Sequence, residues 1–92
     1  MKYRKKLVEV QAWKVSDLLR FAEKDFKSLP KEIAEAHDKD DLLFAPEYIM
    51  VNTVEDGFYR ADVDEMIMQD ANGGFYVIKI EDFDLNYEQV TN

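Results

Sequence analysis

Two apolar runs flank Asn72 and Gly73 within residues 65–80. An Asn-Gly pair is typical of a type I′ turn, because both central residues of that turn need a positive φ. The turn predicts a β-hairpin in which Met68 faces Val77. Both faces of this hairpin are then largely apolar, so it belongs in a sheet that is covered on at least one side. One face would carry Met66, Met68, Phe75 and Val77, and the other Ile67, Tyr76, Ile78 and Ile80.

The hydrophobic pattern before residue 40 predicts one strand and two helices. Apolar and polar residues alternate over residues 7–13, as they do in a half-buried strand. Residues 16–27 carry an apolar stripe at helical spacing, and Ser16 can cap the start of this helix. Pro30 suits the first turn of a second, short helix, which would bury Ile33 and Ala36.

A second hairpin and a further strand are predicted after residue 40. Residues 42–44 form either a short strand or an apolar plug. The turn pair Asp56-Gly57 predicts a hairpin over residues 47–62, in which Thr53 faces Arg60. Alternation resumes over residues 81–90, which predicts a half-buried strand or an extended tail.

Together these elements predict a single α+β domain over residues 1–92. Its antiparallel sheet would have four or five strands, with the main helix and the short second helix packed on one face. The residues predicted to lie in the core are Trp13, Leu19, Phe26, Ile49, Ile67 and Ile78.

The composition supports a globular domain and narrows its chemistry. Hydrophobic residues make up 47% of the 92 residues, which is enough for a core. The chain has no cysteine, which excludes a disulfide scaffold, a thiolate metal site and a cysteine nucleophile. We expect such a chain, without an apolar run of membrane-spanning length or a signal-peptide pattern, in the cytoplasm.

Charge is distributed unevenly along the chain. The net charge is −8, but residues 1–37 carry +3 and residues 38–92 carry −11. A half this acidic repels nucleic-acid phosphates and attracts basic protein surfaces, although acidity also serves solubility alone. The carboxylates predicted to face a partner are Asp38, Asp40, Asp41, Glu55, Asp56, Asp62, Asp64, Glu65 and Asp70.

No catalytic or metal-binding motif is complete in the sequence. His37 is the only histidine, and no nucleophile or carboxylate accompanies it at a catalytic spacing. Residues 82–86 match the first three ligand positions of a calcium-binding loop, but Tyr87 stands where that loop needs glycine. The only glycine pair lies in a hairpin turn and not before a helix, so it is not a phosphate loop. We therefore expect a non-enzymatic protein without a metal or cofactor.

The start of the chain resembles the opening of a family of small phage and prophage proteins. Those proteins open with YRKKP, followed by a strand and a Gln-Trp pair. Residues 3–13 read YRKKLVEVQAW. Leu7 stands in place of the family's proline, and Ala12 separates Gln11 from Trp13.

Residues 72–90 resemble the end of the same family. They read NGGFYVIKIEDFDLNYEQV, and the family's ending reads NGEFYPCKPDIFEKTYE. Val77 and Ile78 replace the family's Pro-Cys pair. The resemblance implies a phage or prophage origin and action inside a bacterial host, and it carries no catalytic motif.

Three functions are compatible with these features. The first is an acidic inhibitor of a host nucleic-acid-handling defence complex, of the anti-CRISPR type. Its carboxylates would imitate phosphates, and it would bind a protein with a basic surface but neither nucleic acid nor membrane. The second is a protein that binds or sequesters a nucleotide signal in a pocket lined by Arg4, Lys5, Arg60 or Lys79. The third is a homodimeric phage accessory module joined through an exposed strand edge.

Overall fold

The computed structural model describes residues 10–87, which contain six strands and three α-helices. The strands are β1 (Gln11–Lys14), β2 (Leu42–Phe44), β3 (Ile49–Thr53), β4 (Gly57–Ala61), β5 (Glu65–Gln69) and β6 (Phe75–Lys79). The helices are α1 (Val15–Lys24), α2 (Lys31–Asp38) and α3 (Ile80–Asn86), with a 3-10 turn at Phe26–Ser28. The start of the strand predicted over residues 7–13 and the end of the strand predicted over residues 81–90 lie outside the described residues.

The six strands form one mixed, curled sheet. β5 lies between β1 and β6, and both pairings are antiparallel. β3 pairs antiparallel with β2 and with β4. A parallel bridge between Thr53 and Phe75 joins these two groups of strands. The predicted α+β class is confirmed. The sheet is larger than predicted and is not wholly antiparallel, because the two hairpins meet at this parallel bridge.

Helices α1 and α2 contribute their apolar stripes to one core. Val15 and Leu18 of α1 are buried, as are Ile33 and Ala36 of α2, in agreement with the helical spacing of these residues. Burial of this apolar surface is the main favourable term in folding. The core cluster consists of Val15, Leu18, Leu29, Ile33, Ala36, Leu42, Ile49, Val51, Ala61, Ile67 and Phe75.

The main helix begins and ends earlier than the predicted span of residues 16–27. Lys14 is its N-cap and makes no side-chain cap hydrogen bond, so Ser16 lies in the first turn and not at the cap. The helix ends at Lys24 because Asp25 is extended. The Asp25 carboxylate then accepts a hydrogen bond from the Lys27 backbone N–H at 3.0 Å, which starts the separate 3-10 turn.

The turn between β5 and β6 is not the type I′ turn that the Asn-Gly pair predicts. Gly73 has a φ of 86°, but Asn72 does not adopt a positive φ. The Gly73 N–H donates to the Asp70 carbonyl and the Asp70 N–H donates to the Gly74 carbonyl, both at 3.0 Å. This pattern describes a three-residue loop that ends with glycine in the left-handed region.

The longer loop shifts the hairpin register by one residue. Met68 pairs with Tyr76 and not with Val77. A shift of one residue turns every side chain of one strand to the other face of the sheet. Ile67 therefore shares the core face with Phe75 and Val77. The opposite face carries Met66, Met68, Tyr76 and Ile78.

The β3–β4 hairpin also forms in a register that differs from the predicted one. Thr53 pairs with Gly57 and not with Arg60. The Thr53 hydroxyl donates to the Gly57 carbonyl at 2.7 Å and accepts from the Asp56 N–H at 3.1 Å. Gly57 has a φ of 67°. The Thr53 side chain thus closes the turn three residues earlier than the predicted pairing requires.

Residues 80–86 form helix α3, so the strand predicted there is wrong. Phe83 and Tyr87 are spaced by four residues, and their rings stack with centroids 4.9 Å apart. A pair at this spacing lies on one helical face, and it fits the alternating pattern equally well. Glu81 and Asp82 lie in the first turn, where carboxylates interact favourably with the helix dipole.

Burial agrees with the predicted core at most positions. Ile49 and Ile67 are fully buried, and Trp13 and Leu19 pack against the core cluster. Ile78 is half-buried on the opposite face of the sheet and outside the core cluster, so its predicted core position is wrong. Phe26 is 44% exposed, so its predicted core position is wrong. It lies in the 3-10 turn, outside the stripe of α1, and its ring contacts those of His37 and Phe44.

Candidate functional site

Three loops meet at the end of the sheet where β3 ends and β6 begins. Beside the Thr53–Phe75 bridge, the Val54 N–H donates to the Phe75 carbonyl at 3.1 Å. This contact places the β3–β4 loop next to the β5–β6 loop. The third loop, residues 38–41, starts at the last residue of α2 and is fixed to β3 by Asn52. The Asn52 backbone N–H donates to the Asp41 carbonyl at 2.8 Å, and its side-chain amide donates to Asp41 Oδ1 at 3.1 Å.

These loops carry six of the nine carboxylates that the sequence predicts as binding residues. Their sequences contain one basic residue, Lys39. Asp41 and Asp70 are half-buried, and the other four carboxylate side chains are exposed. Carboxylates this numerous around one basic residue produce a negative local potential. We call this surface the acidic loop end, and its members are Asp38, Asp40, Asp41, Glu55, Asp56 and Asp70.

Asp70 organises the β5–β6 loop from within. Its Oδ1 atom accepts hydrogen bonds from the backbone N–H groups of Asn72 and Gly74, each at 2.9 Å. Its Oδ2 atom accepts from the Tyr76 hydroxyl at 3.0 Å. The hydrogen bond from the Gly74 N–H is the largest cause of the lowered pKa of Asp70, and the hydrogen bond from the Tyr76 hydroxyl lowers this pKa further. The hydrogen bond between Tyr76 and Asp70 also raises the pKa of Tyr76. The loop is therefore ordered around a carboxylate that stays ionised.

The other two loops are constrained as well. In the β3–β4 loop, the Asp56 N–H donates to the Thr53 hydroxyl at 3.1 Å. The Asp41 N–H donates to the Ala36 carbonyl at 2.9 Å, and the Asp40 N–H donates to the His37 carbonyl at 3.0 Å. Asp40 adopts a φ of 62°, a conformation that Asp tolerates better than most residues. Each loop thus keeps its backbone shape through hydrogen bonds of its own.

Asp62 and Asp64 do not belong to the acidic loop end. They follow β4 and precede β5, at the opposite ends of these strands from the acidic loops. Each is paired with a cation. Arg60 Nε lies 2.9 Å from Asp62 Oδ1, and Lys79 Nζ lies 2.8 Å from Asp64 Oδ2. The local charge of this pair of aspartates is consequently balanced.

Glu65 is buried and cannot present its charge to a partner. Only 3% of its surface is exposed. Its carboxylate accepts from the Asp62 backbone N–H at 2.9 Å and from the Tyr59 hydroxyl at 3.2 Å. The negative charge of Glu65 is the largest cause of the raised pKa of Tyr59, and the hydrogen bond between the Tyr59 hydroxyl and Glu65 raises this pKa further. Glu65 thus fastens the β4–β5 turn to β4.

Two small clefts flank the acidic loop end. One has a volume of about 100 Å³ and is lined by Thr53, Glu55, Asp56, Tyr59, Tyr76 and Val77. The other has a volume of about 240 Å³ and is lined by Asp41, Asn52, Thr53, Val54, Gly73, Gly74 and Phe75. Neither lining includes Lys or Arg. The clefts therefore offer an anionic ligand no cationic partner.

The described residues contain no cluster of three His, Asp or Glu side chains arranged to hold a metal ion. His37 is half-buried between aromatic rings, with centroid distances of 4.9 Å to Phe26 and 5.8 Å to Phe44. Within residues 10–87, no helix is both long enough and apolar enough to cross a bilayer.

The hydrophobic pattern does not reveal the residues that position the carboxylates. Asn52, Thr53 and Tyr76 support the acidic loops through side-chain hydrogen bonds. A local signal exists for one of these loops. Asp70 precedes Asn72 by two residues, and Asp side chains commonly bind the backbone N–H two residues further on. The contacts of Asn52 and Tyr76 depend on the final register and have no such local signal.

Comparison of the chain with protein-family models, with curated proteins and with solved structures gives no match.

Proposed function

We propose that this protein is a non-enzymatic, phage-encoded inhibitor that binds a basic protein surface through the acidic loop end. The observation that carries the proposal is the gathering of six carboxylates on three ordered loops around one basic residue. The phage origin rests on the resemblance of residues 3–13 and 72–90. The proposed target is a nucleic-acid-handling defence complex of the bacterial host, because such complexes hold nucleic acid in positively charged channels.

Order in the loops supports mimicry of a phosphate backbone. A flexible acidic segment would lose conformational entropy when it entered a basic channel, and this loss would weaken binding. Here Asp70 binds its own loop, Thr53 closes the second loop and Asn52 fixes the third. The carboxylates are thus presented on loops that are folded before the partner arrives.

The charge of the whole chain acts in the same direction. A net charge of −8 produces a negative field, which steers a basic partner towards the protein and repels nucleic acid. Fields of this kind raise the association rate and select the partner more than they raise affinity. The protein is therefore expected to compete with nucleic acid for its target without binding nucleic acid.

Two observations favour this function over the binding of a nucleotide signal. Both clefts are lined by carboxylates and lack a basic residue in their lining. Arg60 and Lys79, which the nucleotide hypothesis would use, are paired with Asp62 and Asp64. Arg4 and Lys5 lie outside the described residues.

A capture experiment tests the proposal. The tagged protein is incubated with bacterial lysate, and retained proteins are eluted with rising NaCl or with duplex DNA. The expected result is a partner that elutes with either, whereas a gel-shift assay shows no binding of DNA to the protein itself. A partner that resists both eluants, or release by nucleotides alone, would contradict the proposal.

Paired charge reversals identify the surface in that assay. The test variant carries Glu55→Lys and Asp56→Lys, two exposed changes on the acidic loop end. The matched control carries Glu81→Lys and Asp84→Lys, two exposed changes of equal charge on α3. Loss of capture is expected for the first variant only. Equal loss with both variants would assign binding to net charge and not to this surface.

A further inference from the structure

Strand β4 has an outer edge that pairs with no strand in the described part of the chain. Its partner is β3, which lies along its inner edge. The four residues from Gly57 to Arg60 are all exposed, and Phe58 is 51% exposed. A strand edge of this kind offers backbone N–H and C=O groups to another chain.

The hydrogen bonds of β3 reveal which groups of β4 point outward. The Asn52 N–H donates to Asp41 on the side of β2, so the backbone groups of Asn52 point away from β4. Phe58 pairs with Asn52, and Arg60 pairs with Met50. Met50 also pairs with β2, and its backbone N–H and C=O groups point towards β2 like those of Asn52. In an antiparallel ladder, such pairs are the non-hydrogen-bonded ones. The N–H and C=O groups of Phe58 and Arg60 therefore point away from β3.

The next outward-facing donor along this edge is already occupied. The Asp62 N–H donates to the buried Glu65 carboxylate at 2.9 Å. At the other end, Gly57 begins the strand with a positive φ. The open edge is thus short and centred on Tyr59, with one outward-facing residue on each side.

We propose that this edge pairs antiparallel with the same edge of a second copy, about a two-fold axis at Tyr59. In this register, Phe58 lies opposite Arg60 of the second copy, and the pair exchanges two backbone hydrogen bonds. The two-fold axis generates the same pair again. Tyr59 faces Tyr59 of the second copy as a non-hydrogen-bonded pair. The interface is isologous, as in most dimers of identical chains.

The side chains of the open edge complement each other in this register. Phe58 and Arg60 share one face of the sheet, and an arginine beside an aromatic ring is a favourable pair. The Arg60 guanidinium is already oriented on this face, with its Cζ atom 4.0 Å from the Tyr48 ring centroid and its Nε atom bonded to Asp62. Because Phe58 and Arg60 flank the axis symmetrically, each exposed Phe58 ring would lie beside an Arg60 side chain of the second copy.

The paired strand itself brings no two carboxylates together in this register. β4 contains one basic residue and no acidic residue, in a chain whose net charge is −8. Antiparallel pairing about Tyr59 places Gly57 opposite Ala61, so the acidic loop ends of the two copies lie at opposite ends of the paired strands. Just beyond the paired residues, Asp56 approaches Asp62 of the second copy, and this repulsion, like that of the two net charges, is screened by salt. The dimer should accordingly strengthen with NaCl, whereas the proposed partner binding should weaken.

Sedimentation equilibrium of the full chain tests the dimer and its register. We expect a monomer–dimer equilibrium at concentrations up to about 1 mM, with a smaller dissociation constant at higher NaCl. Phe58→Lys places a cation opposite Arg60 twice, whereas Phe58→Glu places a carboxylate there twice. We expect the Lys variant to dimerise at least about tenfold more weakly than the Glu variant.

This pair of variants separates the register from net charge. On net charge alone, Phe58→Lys would help two acidic copies associate and Phe58→Glu would hinder them. A wild-type protein that stays monomeric in high salt would overturn the proposal. So would a Lys variant that dimerises as tightly as the Glu variant. Unchanged circular dichroism of both variants verifies that the fold is intact.

A cysteine placed on the axis provides a geometric test in a chain that has no cysteine of its own. Tyr59→Cys puts two thiols in a non-hydrogen-bonded pair, whose Cα atoms lie about 4.5 Å apart. Phe58→Cys puts them beyond the limit of about 7 Å for a disulfide. Oxidation should link Tyr59→Cys into a covalent dimer and leave Phe58→Cys unlinked. Equal linkage of both variants would rule out this register.

Discussion

Thr53 pairs with Phe75 across a parallel bridge, and this pair joins the β3–β4 hairpin to the β5–β6 hairpin. Around the bridge, the Thr53 hydroxyl closes one acidic loop and the Asp70 carboxylate closes the other. The position of the acidic loop end thus depends on Thr53 and Asp70, two residues that are distant in sequence.

The contact between the two loops can be tested at Gly74. A Cβ atom added at this residue would lie 2.5 Å from Val54 Cγ2 and 3.2 Å from Asp70 Oδ2. Gly74→Ala should therefore lower the free energy of unfolding by about 1 kcal/mol, in the lower range for overpacking. Combining Gly74→Ala with Val54→Ala should recover part of this loss, because it removes the nearest atom. Urea unfolding of both single variants and the double variant gives the coupling, and strict additivity would show that the loops do not touch.

Much of the fold follows from local patterns. The stripe of α1, the short helix after Pro30 and both hairpins form where the apolar spacing and the glycine turns predict them. The registers could not be predicted, because side chains and not the glycine pairs alone determine the loop lengths. The Thr53 and Asp70 side chains each accept hydrogen bonds from backbone N–H groups of their loop. The sequence does not show which of the polar side chains near a turn forms these hydrogen bonds.

Helix α3 and the candidate site illustrate a second limit. Phe83 and Tyr87 fit both an alternating strand and a helical i, i+4 pair, so the pattern alone cannot decide between them. The nine carboxylates predicted as a set divide between two regions, because the Thr53–Phe75 bridge brings only some loops together. The sequence predicts Glu65 to be an exposed charge. In the structure Glu65 is buried, and its carboxylate accepts hydrogen bonds from the Tyr59 hydroxyl and the Asp62 N–H.

Ile67 tests the observed hairpin register. It is fully buried on the core face between β1 and β6. Ile67→Ala should reduce the free energy of unfolding by roughly 2–5 kcal/mol, because it leaves a cavity in the core. Ile78→Ala is the matched control. Because Ile78 is half-buried on the opposite face, this substitution should reduce the free energy of unfolding by less. A loss below about 1 kcal/mol for Ile67→Ala would mean that the register is off by one residue.

Glu65 should stabilise the β4–β5 turn through its two hydrogen bonds. Glu65→Gln turns one acceptor oxygen into an amide donor, so either the Asp62 N–H or the Tyr59 hydroxyl loses its hydrogen-bond acceptor. The expected cost is about 1–3 kcal/mol in chemical denaturation. Tyr59→Phe removes only the hydroxyl contact and should cost about 0.5–1.5 kcal/mol. If Glu65→Gln proved as stable as the wild type, Glu65 would have no structural role in the turn.

Asp70 predicts a dependence of stability on acid pH. The Gly74 N–H and the Tyr76 hydroxyl lower the pKa of Asp70 in the folded state. A carboxyl with a depressed folded pKa stabilises the fold above its unfolded pKa of about 3.9, and this contribution is lost as the pH falls through the folded pKa. Asp70→Asn should therefore lower the melting temperature at pH 7, and the difference from the wild type should shrink below about pH 4.

Asp56→Asn provides the control for that titration, because it removes one exposed charge from the same end of the sheet. Thermal melts of the three proteins across the acid range give the comparison. A difference between the wild type and Asp70→Asn that stays constant from neutral to acid pH would show that the ionised carboxylate does not organise this loop.

The most direct test of the account is the association rate of the captured partner with the acidic loop end. Surface plasmon resonance at several NaCl concentrations would compare the wild type, the Glu55→Lys and Asp56→Lys variant and the Glu81→Lys and Asp84→Lys control. We predict that the association rate falls steeply with salt, since exposed charges are screened over about 8 Å at physiological ionic strength. The loop variant should associate at least about tenfold more slowly than the control. Equal rates for the two variants, or a rate that does not change with salt, would contradict the account.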